Sequence, residues 1–313
     1  MNIKKIFLKT FLMPLNLETK LRLIWIQGVT CNANIHSFLN LPSLPSLLSN
    51  IDMVYHPSLE CSHALEEITL LETSCDVLIF EGAYDPLLKR NDVLVKDILE
   101  YYSKNTKYVI ALGSCASFGG IFKASAPERN SGLIFNEKEE YGPLLDSKTK
   151  VINLSGCPIH PEWLSYTLNM IISKREVLLD KLHRPLELYS NLAHHGCTRN
   201  EYFEWKIDTK GFGEKEGCMF YEQGCRGPVT HASCNKILWN EVSSKTRVGT
   251  PCFGCTEPDF PRSNLYSTKT NMSIPQEVPL GVPKRAYLTV TGITKTFSIK
   301  RLEGKLIDYK TTD

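Results

Sequence analysis

Sulfur and imidazole are the side chains in this sequence best placed to do chemistry. Six of its eleven cysteines fall between Cys197 and Cys255, as His194-His195-Gly196-Cys197, then Cys218, Cys225 and Cys234, then Cys252-Phe253-Gly254-Cys255. A C-x-x-C pair with outlying cysteines is a metal-binding pattern, and soft thiolates select zinc, copper(I) or iron–sulfur clusters. Two iron–sulfur clusters, one on a histidine and three cysteines and one on three cysteines, use all seven donors. A single four-ligand zinc site leaves donors over, and a zinc ribbon usually shows two C-x-x-C knuckles where this sequence has one. A histidine in place of a thiolate removes a negative charge from a cluster and tends to raise its potential. With one ligating histidine, either His194 or His195 is an ordinary residue.

Three more cysteines share a different placement. Cys31 follows Gln27-Gly28-Val29-Thr30, Cys115 lies in Gly113-Ser114-Cys115-Ala116-Ser117-Phe118-Gly119-Gly120, and Cys157 lies in Ser155-Gly156-Cys157-Pro158. Each comes just after an apolar, strand-like run. Five such runs, at 21–27, 52–56, 76–81, 108–113 and 151–155, alternate with helical patterns such as 92–103 and 162–179, which predicts a doubly wound parallel sheet. Ligands in such sheets bind at the carboxyl edge of the strands. Three thiols would therefore meet there, with small neighbours letting backbone approach a bulky ligand and donate N–H groups to sulfur. Cys61 and Cys75 lack that placement and are expected to be ordinary residues.

The elements that position the second set look weaker. Residues 180–265 contain few long apolar runs and many Gly, Cys and aromatic residues, so bound metal is expected to supply much of that segment's folding energy. The expected organisation is an N-terminal extension (1–20), an α/β domain (21–180), an irregular cysteine-rich domain (181–265) and a C-terminal arm (266–313). The basic residues of the arm, Lys284, Arg285, Lys295, Lys300 and Arg301, read mainly as a solvated face, with an acceptor or membrane surface as the alternative.

Composition narrows the function. Over 313 residues, 36 Lys and Arg against 34 Asp and Glu leave a charge of +2, which gives no reason to expect nucleic acid as a partner. A hydrophobic content of 42% with 22% charged residues excludes disorder as the main state. No run of about 18 apolar residues suggests a membrane span. The segment from Met1 to Lys9 resembles a twin-arginine export signal only weakly, with Lys in place of Arg and a short apolar run. The expected location is the cytoplasm, free or peripherally attached to a membrane. There, eleven cysteines speak for metal rather than disulfides.

The motifs together resemble the small, electron-transferring subunit of nickel–iron hydrogenases over about residues 20–265. The resemblance rests on Trp25-Ile26-Gln27 leading to Cys31, on the Gly113–Gly120 and Gly156-Cys157-Pro158 motifs, and on the run from Gly224-Cys225-Arg226-Gly227-Pro228 through Thr230-His231-Ala232-Ser233-Cys234 to Pro251-Cys252-Phe253-Gly254-Cys255-Thr256-Glu257-Pro258. The Thr-His-Ala-Ser-Cys wording and the Pro279–Tyr287 segment look most like the cyanobacterial-type uptake branch (group 2). The resemblance implies a flavodoxin-like domain followed by a cluster domain, and three clusters in a row. The proximal one would use Cys31, Cys115 and Cys157; a medial [3Fe–4S] cluster would use Cys234, Cys252 and Cys255; a distal [4Fe–4S] cluster would use His194, Cys197, Cys218 and Cys225. His194 is preferred because the family places its histidine three positions before the cysteine.

One position departs from the family. Asn34 stands where most members have a second proximal cysteine, as in the cyanobacterial-type branch. A carboxamide is a weak ligand for soft iron, so the proximal cluster is expected to be [3Fe–4S], or [4Fe–4S] with its fourth iron on Asn34, another group or water. By the same resemblance the nickel–iron centre sits on a separate large subunit. This chain would relay electrons from hydrogen to a quinone, cytochrome or ferredoxin-like acceptor, within a heterodimer that could assemble further. The rival readings are a regulatory, hydrogen-sensing hydrogenase, a quinone-linked relative of complex I and a zinc-stabilised binding module.

Overall fold

The computed structural model describes residues 20–295, apart from 269, 272, 273 and 276. The expected N-terminal extension thus lies outside the described residues save Lys20, as do Lys300 and Arg301 of the arm. The chain divides into two compact units, Met1–Leu186 and Glu187–Asp313.

The first unit is built on five parallel strands: β1 (Leu21–Gln27), β2 (Ile51–Tyr55), β3 (Val77–Glu81), β4 (Tyr108–Leu112) and β5 (Lys150–Leu154). Their order is β2-β1-β3-β4-β5, the flavodoxin-like arrangement with its switch point between β1 and β3. The sheet is covered on both faces, which is why β3 is buried throughout. On one face Phe80, Val109 and Ala111 pack with Ile98, Leu99 and Tyr102 of helix α2 (Val95–Asn105). On the other, Trp25 meets Phe38 of helix α1 (Ala33–Leu39) and His56, with ring centres 5.5 and 4.9 Å away.

The helices differ from the sequence pattern at their ends, and backbone geometry explains why. The helical pattern of 92–103 starts as a helix only at Val95, because Asn91 and Asp92 take left-handed φ values of 47° and 60° in a turn joining two short paired strands. The pattern of 162–179 forms α4 (Pro161–Ile172), introduced after α3 (Gly113–Phe118). Lys174 stops α4 with a left-handed φ of 52° as its N–H and that of Arg175 turn back to Ile171 and Met170. Residues 181–186 stay with the first unit through the Asn153 N–H bond to His183 O and the Leu179–Pro185 bridge.

Among the described residues the second unit has little regular structure: helical turns at Leu186–Tyr189, where the unit begins, and Asn200–Glu204, 3₁₀ turns at Ala193–Gly196 and Gly227–Val229, a strand pair at Thr270–Asn271 and Ile274–Pro275, and α5 (Lys284–Lys295). Its apolar cluster among the described residues comprises Phe203, Cys218, Phe220 and Tyr287, so α5 contributes through Tyr287 and one of the cysteines is itself part of the core. Among the described residues no helix is long and apolar enough to cross a membrane.

Candidate metal centres

Register builds the first site. Gln27 is level with Glu81, Glu81 with Leu112, and Leu112 with Leu154, so β1, β3, β4 and β5 end together. The segments that follow them carry Cys31, Cys115 and Cys157 along one sheet edge, where Cys31 is exposed and the other two are half-buried. Ser114 N–H donates to Gly156 O at 2.9 Å and Gly156 N–H to Ser114 Oγ at 2.9 Å, which ties the Cys115 segment to the Cys157 segment. Gly28 N–H donates to Glu81 O at 2.8 Å on the other side.

Backbone wraps closely around Cys115. Its sulfur accepts from the N–H groups of Phe122 and Ile121; burial raises the thiol's pKa, and these donors and the neighbouring Cys31 act on it as well. The wrap depends on Gly120, whose φ is +51° and where a Cβ would stand 2.9 Å from Cys115 Sγ.

Asn34 is buried at the start of α1 and serves as a joint between segments. Its Oδ1 accepts from Ile159 N–H at 2.9 Å, and its own N–H donates to Glu81 Oε1 at 3.2 Å. Gly113 (φ +84°) leaves room for its amide, because a Cβ there would lie 2.7 Å from Nδ2. The other Glu81 oxygen accepts from Trp25 Nε1 at 3.1 Å. Glu81 was not anticipated as a site residue, although a single carboxylate closing an apolar strand was visible in the sequence.

In the second unit the cysteines act on one another in overlapping sets, with Cys252 close to both Cys225 and Cys255. Burial pushes the Cys225 thiol up to about 12, and repulsion from Cys218 and Cys197 adds to it. Burial likewise raises the Cys234 thiol, with Cys252 and Cys255 contributing. Cys252 N–H donates to Cys225 Sγ at 3.3 Å and Arg226 N–H to Cys252 O at 2.7 Å. Phe220 N–H reaches Cys218 Sγ and Arg199 N–H reaches Cys197 Sγ, both at 3.4 Å.

His194 and His195 separate clearly. His195 is exposed. The His194 ring meets the edge of Phe203 with centres 4.4 Å apart, and Gly227 lies beside it, where a Cβ would stand 3.6 Å from both His194 N and Cys225 Sγ. Burial, helped by His195 and Lys206, lowers its pKa to about 4, so the imidazole is neutral and keeps a lone pair for a metal.

The donor set fits clusters chemically. Cys218, Cys225 and Cys252 are pushed to about 12, mainly by burial, so they would be neutral thiols at pH 7 unless a cation stood on them. Backbone N–H donors to sulfur are what a cluster's ligands need. Among the described residues no three His, Cys, Asp or Glu side chains converge closely enough to grip a single ion. Cys61 and Cys75 stand apart from these donors: Cys61 Sγ donates to His63 O, while Cys75 is buried near Thr106, its pKa raised to about 11 by burial.

Three cations around the second unit's sulfurs were missed by sequence reasoning, because only folding brings them there. Arg199, 3% exposed, donates to the carbonyls of Thr246 (2.7 Å), Gly217 (2.9 Å), Glu216 (3.2 Å) and Glu214, so it pins two loops beside Cys197. Lys206 Nζ lies 4.0 Å from the Phe203 ring centre, and Lys245 Nζ lies 4.6 Å from that of Phe253, with a favourable charge interaction with Cys234.

Two family models match separate stretches of the chain. Residues 31–171 match the family described as NADH ubiquinone oxidoreductase, 20 Kd subunit, and residues 189–267 match the family described as the C-terminal part of the NiFe/NiFeSe hydrogenase small subunit. The F420 non-reducing hydrogenase I small subunit of Methanosarcina mazei is 29% identical over 289 residues, covering 78% of this chain and 74% of its own. The Hydrogenase-2 small chain of Escherichia coli K12 is 30% identical over 256 residues, covering 75% of this chain and 66% of its own. The [NiFeSe] hydrogenase of Desulfovibrio vulgaris Hildenborough superposes with a TM-score of 0.68 at 27% identity, over 82% of this chain and all of the matched one.

Proposed function

The chain belongs to the nickel–iron hydrogenase small-subunit family, and we propose that it is the electron-transferring subunit of a hydrogen-uptake enzyme whose nickel–iron centre lies on a partner chain. The observation that supports this reading is that Cys31, Cys115 and Cys157 follow strands that end level at one sheet edge, while the second unit's cysteines lie close together, Cys252 N–H donating to Cys225 Sγ. Cys31, Cys115 and Cys157 would hold the proximal cluster, Cys234, Cys252 and Cys255 the medial [3Fe–4S], and His194, Cys197, Cys218 and Cys225 the distal [4Fe–4S]. When bound, such clusters supply one-electron carriers between H₂ → 2H⁺ + 2e⁻ on the partner and an external acceptor.

The chain's own residues exclude water, orient the donors and set local charge. Burial and backbone N–H groups prepare the sulfurs. The neutral His194 imidazole takes the place of one thiolate and leaves that site less negative. At the sheet edge Asn34 brings no thiolate either, and its Oδ1 is held by Ile159 N–H, which supports a proximal site with three protein sulfurs. Fewer thiolates mean a higher potential, and that suits electron acceptance from hydrogen, the uptake direction. Asn34→Cys would then lower the proximal midpoint in a redox titration followed by EPR; an unchanged midpoint would contradict the assignment of direction.

The complex-I-like reading fits the first half, but the second half matches the hydrogenase family. The test is affinity purification of the chain co-expressed with its large subunit, followed by hydrogen-dependent dye reduction. Co-purified nickel and hydrogen-dependent turnover are expected. Isolation without a nickel-bearing partner would overturn the proposal, and a stable complex with a kinase at negligible turnover would indicate a hydrogen sensor instead.

A further inference from the structure

The helical turn Asn200–Glu204 ends in a Schellman motif: Lys206 N–H returns to Phe203 O at 3.3 Å and Ile207 N–H to Tyr202 O at 2.9 Å. The position just past such a helix takes a left-handed backbone and is usually glycine. Here it is Lys206, with φ 54°. A side chain there crowds the following carbonyl and strains the backbone. Its ammonium is held by specific contacts. Nζ donates to Phe203 O at 2.8 Å and lies over two rings, 4.0 Å from the centre of Phe203 and 4.7 Å from that of Tyr287. Cation–π contacts of this kind hold an ammonium in place while it is partly shielded from water.

The held charge shares a recess with Cys218, which Phe203, Phe220, Asp208 and Tyr287 also line. Phe203 in turn packs edge-on against His194. Lys206 thus shares a recess with Cys218 and lies over the ring that packs against His194, two of the four donors assigned to the distal site. Tyr287, 5% exposed, comes from α5 and closes the recess over the ammonium. Glu204 and Asp208 also act on this ammonium and oppose its effect in part.

We infer that Lys206 is a tuning residue for the distal site, a fixed positive charge that raises the reduction potential of the cluster held by His194, Cys197, Cys218 and Cys225, with Tyr287 of the C-terminal helix keeping the charge in position. The inference rests on the function proposed above. A cation near a cluster stabilises its reduced, more negative form, and partial burial strengthens that interaction.

Lys206→Gly separates this role from a structural one. Glycine relieves the left-handed backbone, so the variant should melt no lower than the parent, while its distal site loses a charge. In the assembled heterodimer, EPR-monitored redox titration should show the reduced-to-oxidised ratio of the distal cluster falling about tenfold at a fixed poise, which is about 59 mV for a one-electron couple. Lys206→Arg should hold the ratio near the parent's, and Tyr287→Leu should move it part of the way. An intact distal signal with an unchanged midpoint in Lys206→Gly would overturn the inference. Absence of any distal cluster signal from the parent heterodimer would instead overturn the proposed function on which it rests.

Discussion

In the first unit a five-stranded sheet with buried residues on both faces exists without help from any candidate ligand, and Cys31, Cys115 and Cys157 are placed where its strands end. In the second unit the apolar cluster among the described residues has four members, one of them Cys218, and the chain is held by loops gathered round sulfur. A fold positions ligands in one region, and ligands complete a fold in the other. A sheet edge can therefore tolerate Asn34 in place of a donor, because the Asn34–Ile159 and Asn34–Glu81 bonds maintain its loops. The second unit has little such margin, so the free energy of any metal bound by its cysteines would be folding free energy.

The largest expected effect follows from that contrast. Stripping iron with a chelator should abolish amide hydrogen-exchange protection through 190–260 while β1, β3 and β4 keep theirs. Equal loss in both units would erase the distinction. Arg199→Met comes next. It leaves four carbonyls without their buried donor, each costing about 1–3 kcal/mol when nothing replaces it. Melting of the second unit should fall by many degrees, with little change in the first, as read by exchange or limited proteolysis.

Acid should act on the first unit through His56. This ring is 2% exposed, its Nδ1 accepts from Ser58 and Leu59 N–H, and burial lowers its pKa to about 4. Below pH 6.5 the unfolded chain takes up a proton that the folded chain refuses. Stability is therefore lost as pH falls from 6.5 toward 4, by up to about 3 kcal/mol. Denaturant titrations at pH 7 and pH 5 should show the drop, and a polar neutral replacement such as His56→Gln should flatten it.

Gly120→Ala should give the smallest effect. The new methyl meets Cys115 Sγ at 2.9 Å on a left-handed backbone, a cost of about 1–2 kcal/mol. Iron content attributable to the sheet-edge site should fall while the second unit's clusters are unaffected. Coordinated loss of all iron would mean that the two regions assemble as one.

The sequence conveyed the two regions unequally. The five strands were legible because buried parallel strands are short apolar runs, and the cysteines that follow them mark the edge. Helix ends were not, since Asn91, Asp92 and Lys174 turn the chain in left-handed conformations that residue type does not announce. The C-x-x-C pair and its outlying cysteines were legible as a metal pattern, but their division into two groups came from family resemblance rather than spacing. Arg199, Lys206 and Lys245 carry no motif. Their positions beside sulfur depend on loop closure, and no short-range pattern encodes it. Glu81 lies between these cases, a charge at the end of an apolar strand whose partners Trp25 and Asn34 appear only in the folded chain.

The most direct test of three cluster sites on two differently built units is iron and acid-labile sulfide analysis of the purified heterodimer, joined to an EPR-monitored redox titration. Three iron–sulfur centres with separate midpoints are expected, one of them dependent on Cys115 and two on the cysteines from Cys197 to Cys255. Zinc without sulfide, or a single centre that survives loss of Cys218 and Cys252, would contradict the account.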